Sequence, residues 1–301
     1  MPVSFENYLV IAVSSRALFD VEMENQIFEE RGLNAYREYQ MLHQEDILRP
    51  GRAFSIIKSI LSLNEEMAIP KKVEVVIMSR NNAEFSLRIT KSLEHHNLNI
   101  IRSAWTSGAS VAPYLKAFGV DLFLSANARD VQEAINQSIA AARILTREPD
   151  FPRRGNSEIR IAFDGDAVIF SDESEKVYKE KGLDAFLEHE KINSTKPLPD
   201  GPFAKLLRSL SIIQRAFPLD SQPIRLALIT ARNSPAHERV IRTLSEWGVR
   251  IDEVFFLGGR EKHQIIRAFN PDFYFDDQDV YCDASSHVVP TGKVPWRESG
   301  I

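Results

Sequence analysis

Ile159-Arg-Ile-Ala-Phe-Asp-Gly-Asp-Ala-Val-Ile-Phe-Ser-Asp-Glu173 is the stretch whose reading decides the fold. Ile159, Ile161, Ala162 and Phe163 give it the apolar density of a buried strand. Two carboxylates follow at once, Asp164-Gly165-Asp166. Acids at the carboxyl end of a buried strand are desolvated at a cost unless a cation or substrate uses them. Taken alone, an ordinary Asp/Gly corner between strand and turn explains them equally well.

Outward from that stretch, the chain matches itself. Ile11-Ala-Val-Ser-Ser-Arg-Ala-Leu-Phe runs parallel to Ile161-Ala-Phe-Asp-Gly-Asp-Ala-Val-Ile, and Glu30-Arg-Gly-Leu-Asn-Ala-Tyr36 to Glu180-Lys-Gly-Leu-Asp-Ala-Phe186. Val76-Ile-Met-Ser-Arg-Asn81 matches Leu228-Ile-Thr-Ala-Arg-Asn233, and Ala117–Leu124 matches Ala268–Phe275. Matching blocks in the same order at a nearly constant offset predict two tandem α/β units, residues 1–150 and 151–301. The join is expected near Arg147–Asn156, after an amphipathic helix over Val131–Thr146. In the second unit strands are expected near 159–163, 225–229, 253–257 and 272–275, and helices near 173–189, 203–216, 235–247 and 261–269. Ser234-Pro235 reads as a helix start, Ser as cap and Pro at the first helical position. Alternating strands and helices imply parallel sheets flanked by helices.

Composition bounds the class. The 301 residues are 44% hydrophobic and 26% charged, as in ordinary globular chains. A net charge of −5 argues against a nucleic-acid polymer as partner but not against a small phosphorylated ligand. The single cysteine, Cys282, excludes an intrachain disulfide and fits a reducing compartment. No secretory leader and no membrane-length apolar run is read, so the expectation is a cytoplasmic protein that does not act at a membrane.

Ligands of a parallel α/β sheet sit at the carboxyl ends of its strands. There the second strand ends in Ile229-Thr230-Ala231-Arg232, and the third in Gly258-Gly259-Arg260, before Glu261-Lys262. The fourth ends in Phe275-Asp276-Asp277. Asp164 and Asp276 are hard oxygen donors suited to Mg²⁺. Asp164 has the chemistry of a nucleophile that becomes an aspartyl-phosphate, and Asp166 that of the proton donor and acceptor. Thr230 and Lys262 donate to phosphoryl oxygens. Thr230, Ala231, Arg232, Lys262 and Gly259 form the candidate substrate-binding set. The glycine turn is either an anion site or simply a tight turn.

At these residues the sequence resembles the haloacid-dehalogenase-like phosphohydrolases, with Asp164–Val168, Thr230, Lys262 and Asp276-Asp277 as the four motifs. More closely, Phe163–Glu173, Ile229–His237 and Val289–Pro295 resemble the cytosolic 5'-nucleotidase type I family, as does Ala117–Ala126. The resemblance implies two Rossmann-like lobes and Mg²⁺-dependent hydrolysis of nucleoside 5'-monophosphates, AMP prominent among them. It makes Asp164, Asp166 (through its backbone carbonyl) and Asp276 metal ligands, with Asp277 supporting. In the first unit the aligned positions are Ser14, Arg16, Met78, Val111, Ser125 and Ala126, so that unit is expected to be non-catalytic. Either it is a structural partner or it binds ligand, including across the interface between the units. Phosphatase action on another small ester, phosphotransfer to an alcohol, and a non-catalytic nucleotide-binding regulator are the competing functions. A nucleotide effector and a homo-oligomer stay open.

Between Asp166 and Thr230, a charged helix over Asp172–Glu190 and the turn Lys196–Pro202 are expected to form a small cap insert, with Leu183 and Phe186 in the core. His95-His96, Cys282 and Lys71-Lys72 are read as structural.

Overall fold

The computed structural model describes residues 5, 7–66, 69–145, 158–234 and 236–298. The first half runs β1 (Tyr8–Val13), α1 (Ser15–Leu18), α2 (Glu22–Leu42), α3 (Phe54–Ser62), β2 (Lys72–Ser79), α4 (Phe85–His95), β3 (Arg102–Trp105), α5 (Ala112–Ala117), β4 (Leu122–Ser125), α6 (Ala128–Asn136) and β5 (Ala141–Ile144). The second runs β6 (Ile159–Phe163), a π turn over Gly165–Ile169, α7 (Glu173–Ile192), α8 (Ala204–Arg215), β7 (Ile224–Thr230), α9 (His237–Glu246), β8 (Glu253–Phe256), α10 (His263–Phe269), β9 (Phe273–Asp276), α11 (Asp279–Ser285) and β10 (Thr291–Lys293).

All ten strands form one sheet in the order β3-β2-β1-β4-β5-β10-β9-β6-β7-β8. Read inward from either edge, the halves list the same order. The strands are parallel within each half, and β5 meets β10 antiparallel through Ile144–Gly292 and Arg143–Lys293. The strands of one half therefore point opposite to those of the other. Central strands such as β1 (Leu9-Val-Ile-Ala-Val13) are buried on both faces and so are continuously apolar, whereas the edge strands β3 and β8 are only half-buried. One hydrophobic core runs through both halves, from Leu9 to Val294. Ile56 and Ile60 of α3, with Leu206 and Leu210 of α8, close over strand residues of both. The sheet is mixed, mostly parallel and flanked by helices. No helix among the described residues is long and apolar enough to cross a membrane.

Several expectations change. The helix read over Val131–Thr146 ends at Asn136, because Ser138 adopts a left-handed φ of 61° and Ala141–Ile144 becomes β5. Backbone pairing on both sides, to β4 and β10, outweighs alanine's helical preference there. Thr146 and the join at Arg147–Asn156 lie outside the described residues. Helix α9 begins at His237 behind Ala236, with no side-chain cap bond, so Ser234 does not cap it; Pro235 is outside the described residues. Leu183 is 52% exposed, against the core position expected, while Phe186 is buried. Helix α7 is broken at Gly182 (φ 83°), which turns Leu183 outward.

The segment Lys196–Pro202 is a fixed wall. Ser171 N donates to Pro199 O and Gly201 N to Ile169 O, both at 2.9 Å, while Leu198 N donates to Thr243 Oγ1 at 2.8 Å. A Cβ on Gly201 would stand 2.3 Å from Phe170 O, so only glycine lets the chain pass.

Candidate active site

The carboxyl ends of β6, β7 and β9 bring Asp164, Thr230, Asp276 and Asp277 together, all buried, with Lys262 just ahead of α10. The Lys262 ammonium stands between two carboxylates, 2.7 Å from Asp164 Oδ1 and 2.7 Å from Asp276 Oδ2. Tyr274 OH also donates to Asp276 Oδ2, and Gln278 N donates to Asp276 Oδ1 at 2.8 Å. Trp296 Nε1 donates to Asp277 Oδ2 at 2.6 Å, and Asp277 Oδ1 is buried without a partner among the described residues.

Burial, then the neighbouring Asp276, pushes the Asp164 carboxyl up to about 7, although Lys262 pulls against the shift. Burial, then Asp164 and Asp276, pushes Asp277 to about 8. Burial alone would lower the Lys262 ammonium, but Asp164 and Asp276 hold it above its usual range. One lysine thus answers three acids. Oxygen atoms of Asp164, Asp276 and Asp277 lie within 4.8 Å of one another. Three hard oxygen donors, one with an unpaired oxygen, form a set that could hold a divalent cation.

Asp166 is placed differently. Its carboxylate takes a two-pronged contact from Arg232, Nε at 2.8 Å and Nη2 at 2.6 Å. Arg232 also donates to Glu190 Oε2 at 2.5 Å, and Glu190 in turn accepts from Arg239 Nη1 at 2.9 Å and Ser174 Oγ at 2.7 Å. The Arg232 guanidinium is therefore paired inside the protein with Asp166 and Glu190, 5.5 Å over the Phe186 ring. It holds Asp166. The π turn that carries Asp166 and Ala167 (φ 61°) is one residue longer than α1, its counterpart in the first half.

Thr230 Oγ1 accepts from Arg232 N at 3.3 Å and keeps its hydrogen for donation. A Cβ on Gly165 would approach that oxygen to 3.3 Å, so glycine keeps the hydroxyl uncovered. The Gly258-Gly259 turn is a tight turn. Gly258 N donates to Arg232 O at 3.2 Å and Gly259 N to Ala231 O at 3.1 Å, so neither amide is available to an anion. Ala231 is exposed beside it. Cys282 is buried, its thiol pushed up by burial and Asp276 and donating to Asp276 O at 3.3 Å. His96 bonds Leu48 O at 2.8 Å.

Strand register corrects the internal alignment. Ile11 pairs with Val75 and Ile161 with Leu226, which sets Ser79, not Met78, opposite Thr230. The antiparallel join also puts the carboxyl edges of the two halves on opposite sides of the sheet, which rules out a ligand held between those edges. Sequence reasoning missed Tyr274, Glu190, Arg239 and Trp296. Only the apolar run holding Tyr274 carried a local signal.

A sequence model of the 5'-nucleotidase family matches residues 1–300. The chain belongs to the 5'-nucleotidase family. Among curated relatives of this family member, human (Homo sapiens) cytosolic 5'-nucleotidase 1B is 36% identical over 293 residues, covering 94% of this chain. The family member spans about half the length of that relative, 48%. No solved structure matches it.

Proposed function

We propose that the chain is a cytoplasmic, Mg²⁺-dependent 5'-nucleotidase that hydrolyses nucleoside 5'-monophosphates of the AMP type to nucleoside and phosphate. The observation that carries this reading is the buried triad Asp164, Asp276 and Asp277, closed by Lys262 at the carboxyl edge of a family-matched sheet. Asp164, Asp276 and Asp277 would hold the ion, and the family resemblance adds the Asp166 backbone carbonyl. When bound, Mg²⁺ supplies positive charge against the crowded carboxylates and the phosphoryl oxygens.

Asp164 attacks phosphorus, the P–O bond to the 5'-oxygen breaks, and Asp166 gives that oxygen its proton. Water then attacks phosphorus of the aspartyl-phosphate as Asp166 takes the water's proton, breaking the bond between phosphorus and the Asp164 oxygen, releasing phosphate and restoring the Asp164 carboxylate. Lys262 and Thr230 donate to the phosphoryl oxygens as charge gathers on them. Arg232 fixes the plane of the Asp166 carboxylate and leaves each of its oxygens a second lone pair for proton exchange.

Two tandem haloacid-dehalogenase-like lobes, residues 1–150 and 151–301, descended from an internal duplication, account for the matching strand orders. Only the second keeps the acids. The test is phosphate release from AMP, other nucleoside monophosphates and simple phosphomonoesters, with Mg²⁺, with EDTA, and with Asp164→Asn. Mg²⁺-dependent release from AMP that the substitution abolishes is the expected result. Release from non-nucleotide esters alone refutes the substrate class, and no release from anything refutes the enzyme.

A further inference from the structure

The first half has a cleft of its own at its carboxyl edge, about 430 Å³, of the size that holds small ligands. An aromatic pair in its wall is repeated at the corresponding place in the second half. Phe28 and Tyr36 stand edge-to-face at 6.0 Å and 83°, and the corresponding pair Tyr178 and Phe186 at 6.2 Å and 84°.

Its floor carries the opposite chemistry. Asp164 and Asp276, acceptors when ionised, are matched by Ser14 and Ser125, and Lys262 by buried Val111. Ser14 Oγ already accepts from Ala17 N at 3.2 Å and Ala126 N at 3.4 Å, and Ser125 Oγ from Asn127 N at 3.1 Å. Neither hydroxyl hydrogen has an acceptor among the described residues. Ser15 and Ser79 share one hydrogen bond of 2.9 Å, which uses one of their two hydrogens. The floor therefore offers buried donors rather than acceptors, and a buried donor gains most from an anionic acceptor. At the mouth, Arg80 is committed to Asp130 at 2.5 Å and Glu133 at 3.0 Å, and Arg16 to Glu22 at 2.8 Å. Arg37 is exposed and has no ion-pair partner among the described residues.

We infer that this cleft is a second, non-hydrolytic site for a nucleoside monophosphate. The phosphate meets the serine hydroxyls and Arg37, and the base lies against Phe28. Ser14, in the place of Asp164, is a neutral hydroxyl, and Arg16, in the place of Asp166, cannot take its proton, so the ligand is held and released unchanged. The ligand class rests on the nucleotide reading of the second half; the anion-binding floor does not.

The test is calorimetric titration of AMP into the full chain in EDTA, for wild type, Asp164→Asn and the double variant Phe28→Ala/Arg37→Glu. Both side chains of the double variant are exposed, so an unchanged melting temperature is expected. A binding component kept in Asp164→Asn and weakened at least ~10-fold in the double variant supports the site. Ser14→Asp, which puts a like charge in the floor, is expected to weaken the same component. Titrations of the double variant and Ser14→Asp that superimpose on wild type overturn it. Adenosine or inorganic phosphate binding this component as tightly as AMP overturns the assignment to a monophosphate. Mg²⁺-dependent phosphate release, measured on the same samples, reports separately on the second half, so either reading fails visibly without the other.

Discussion

Arg232→Asn tests whether the buried network behind Asp166 works as a unit. The substitution removes two charge-assisted bonds to Asp166 and one to Glu190. Asp166 is partly exposed and regains water, but the Glu190 side chain is fully buried and keeps Arg239, Ser174 and a 3.3 Å contact from His189 Nδ1. Breaking one arm of a buried ion network costs about 3–5 kcal/mol. Glu190→Gln alone leaves Arg232 and Arg239 both short of a carboxylate and is expected to cost a similar amount.

The first half shows how the charges can be redistributed. There Asn81 and Gln40 stand where the second half has Arg232 and Glu190, and the carboxylate has moved to Glu24, the counterpart of Ser174. Glu24 meets Arg88 at 2.6 Å. The triple variant Arg232→Asn/Glu190→Gln/Ser174→Glu copies that set and is expected within about 1–2 kcal/mol of wild type, at least ~4 kcal/mol less than the two single costs together. Urea unfolding of the two single variants and the triple at one pH measures it. An Arg232→Asn cost below ~1 kcal/mol, or a triple variant whose loss equals the sum of the singles, would refute the reasoning.

Four further outcomes follow from the geometry. Because Asp164 is raised to about 7 and Asp277 to about 8, the folded metal-free protein holds protons that the unfolded chain has released. The contribution of these two groups to stability should be full below about pH 4 and fall as pH rises towards 8, with ~3 kcal/mol lost between pH 5 and 8 from Asp164 alone. Mg²⁺ should reverse the loss at the alkaline end, and urea midpoints that rise with pH in EDTA would contradict this. Trp296→Phe removes the donor to Asp277 and should raise the Mg²⁺ needed for half-maximal phosphate release by about 10–100-fold; a change under twofold counts against a positioning role. Asp164→Asn should abolish release while lessening the pH dependence of stability, and a variant that keeps wild-type turnover would remove Asp164 from the chemistry. Gly292→Ala would bring a Cβ to 2.8 Å from Phe273 and 2.9 Å from Ala142, so a loss of roughly 1–3 kcal/mol in thermal or urea unfolding is expected at the junction of the halves.

Much of the site was legible because its residues sit at the ends of strands with strong local signals. β6 and β9 are short apolar runs, and the rule that ligands gather at strand carboxyl ends then selects Asp164, Asp276 and Asp277 without coordinates. The partners of Arg232 were hidden for the converse reason. An arginine after a strand-end threonine reads as an anion ligand, and what captures it is Glu190, 42 residues earlier on a different helix. Of the two readings of the Gly258-Gly259 turn, the tight turn matches its amides, which donate to carbonyls just past the end of β7. β5 was hidden in an alanine-rich helical pattern, and its pairing with β10 joins residues far apart in sequence. The relative direction of the two halves follows from that pairing alone.

That direction has a consequence for how the two halves communicate. Two clefts opening on opposite rims cannot pass a ligand from one to the other without releasing it into solvent. Besides the β5–β10 pairing and the shared core, α6, about 14 Å long, links the two rims. Its first turn borders the first-half cleft through Asn127 and Asp130, and its far end holds the segment carrying Trp296, through Gln132 Nε2 to Trp296 O at 2.8 Å and Asn136 Nδ2 to Glu298 Oε2 at 3.0 Å. Trp296 in turn grips Asp277. A small axial slip of this helix would be felt at both rims at once, as a rigid rod transmits a push.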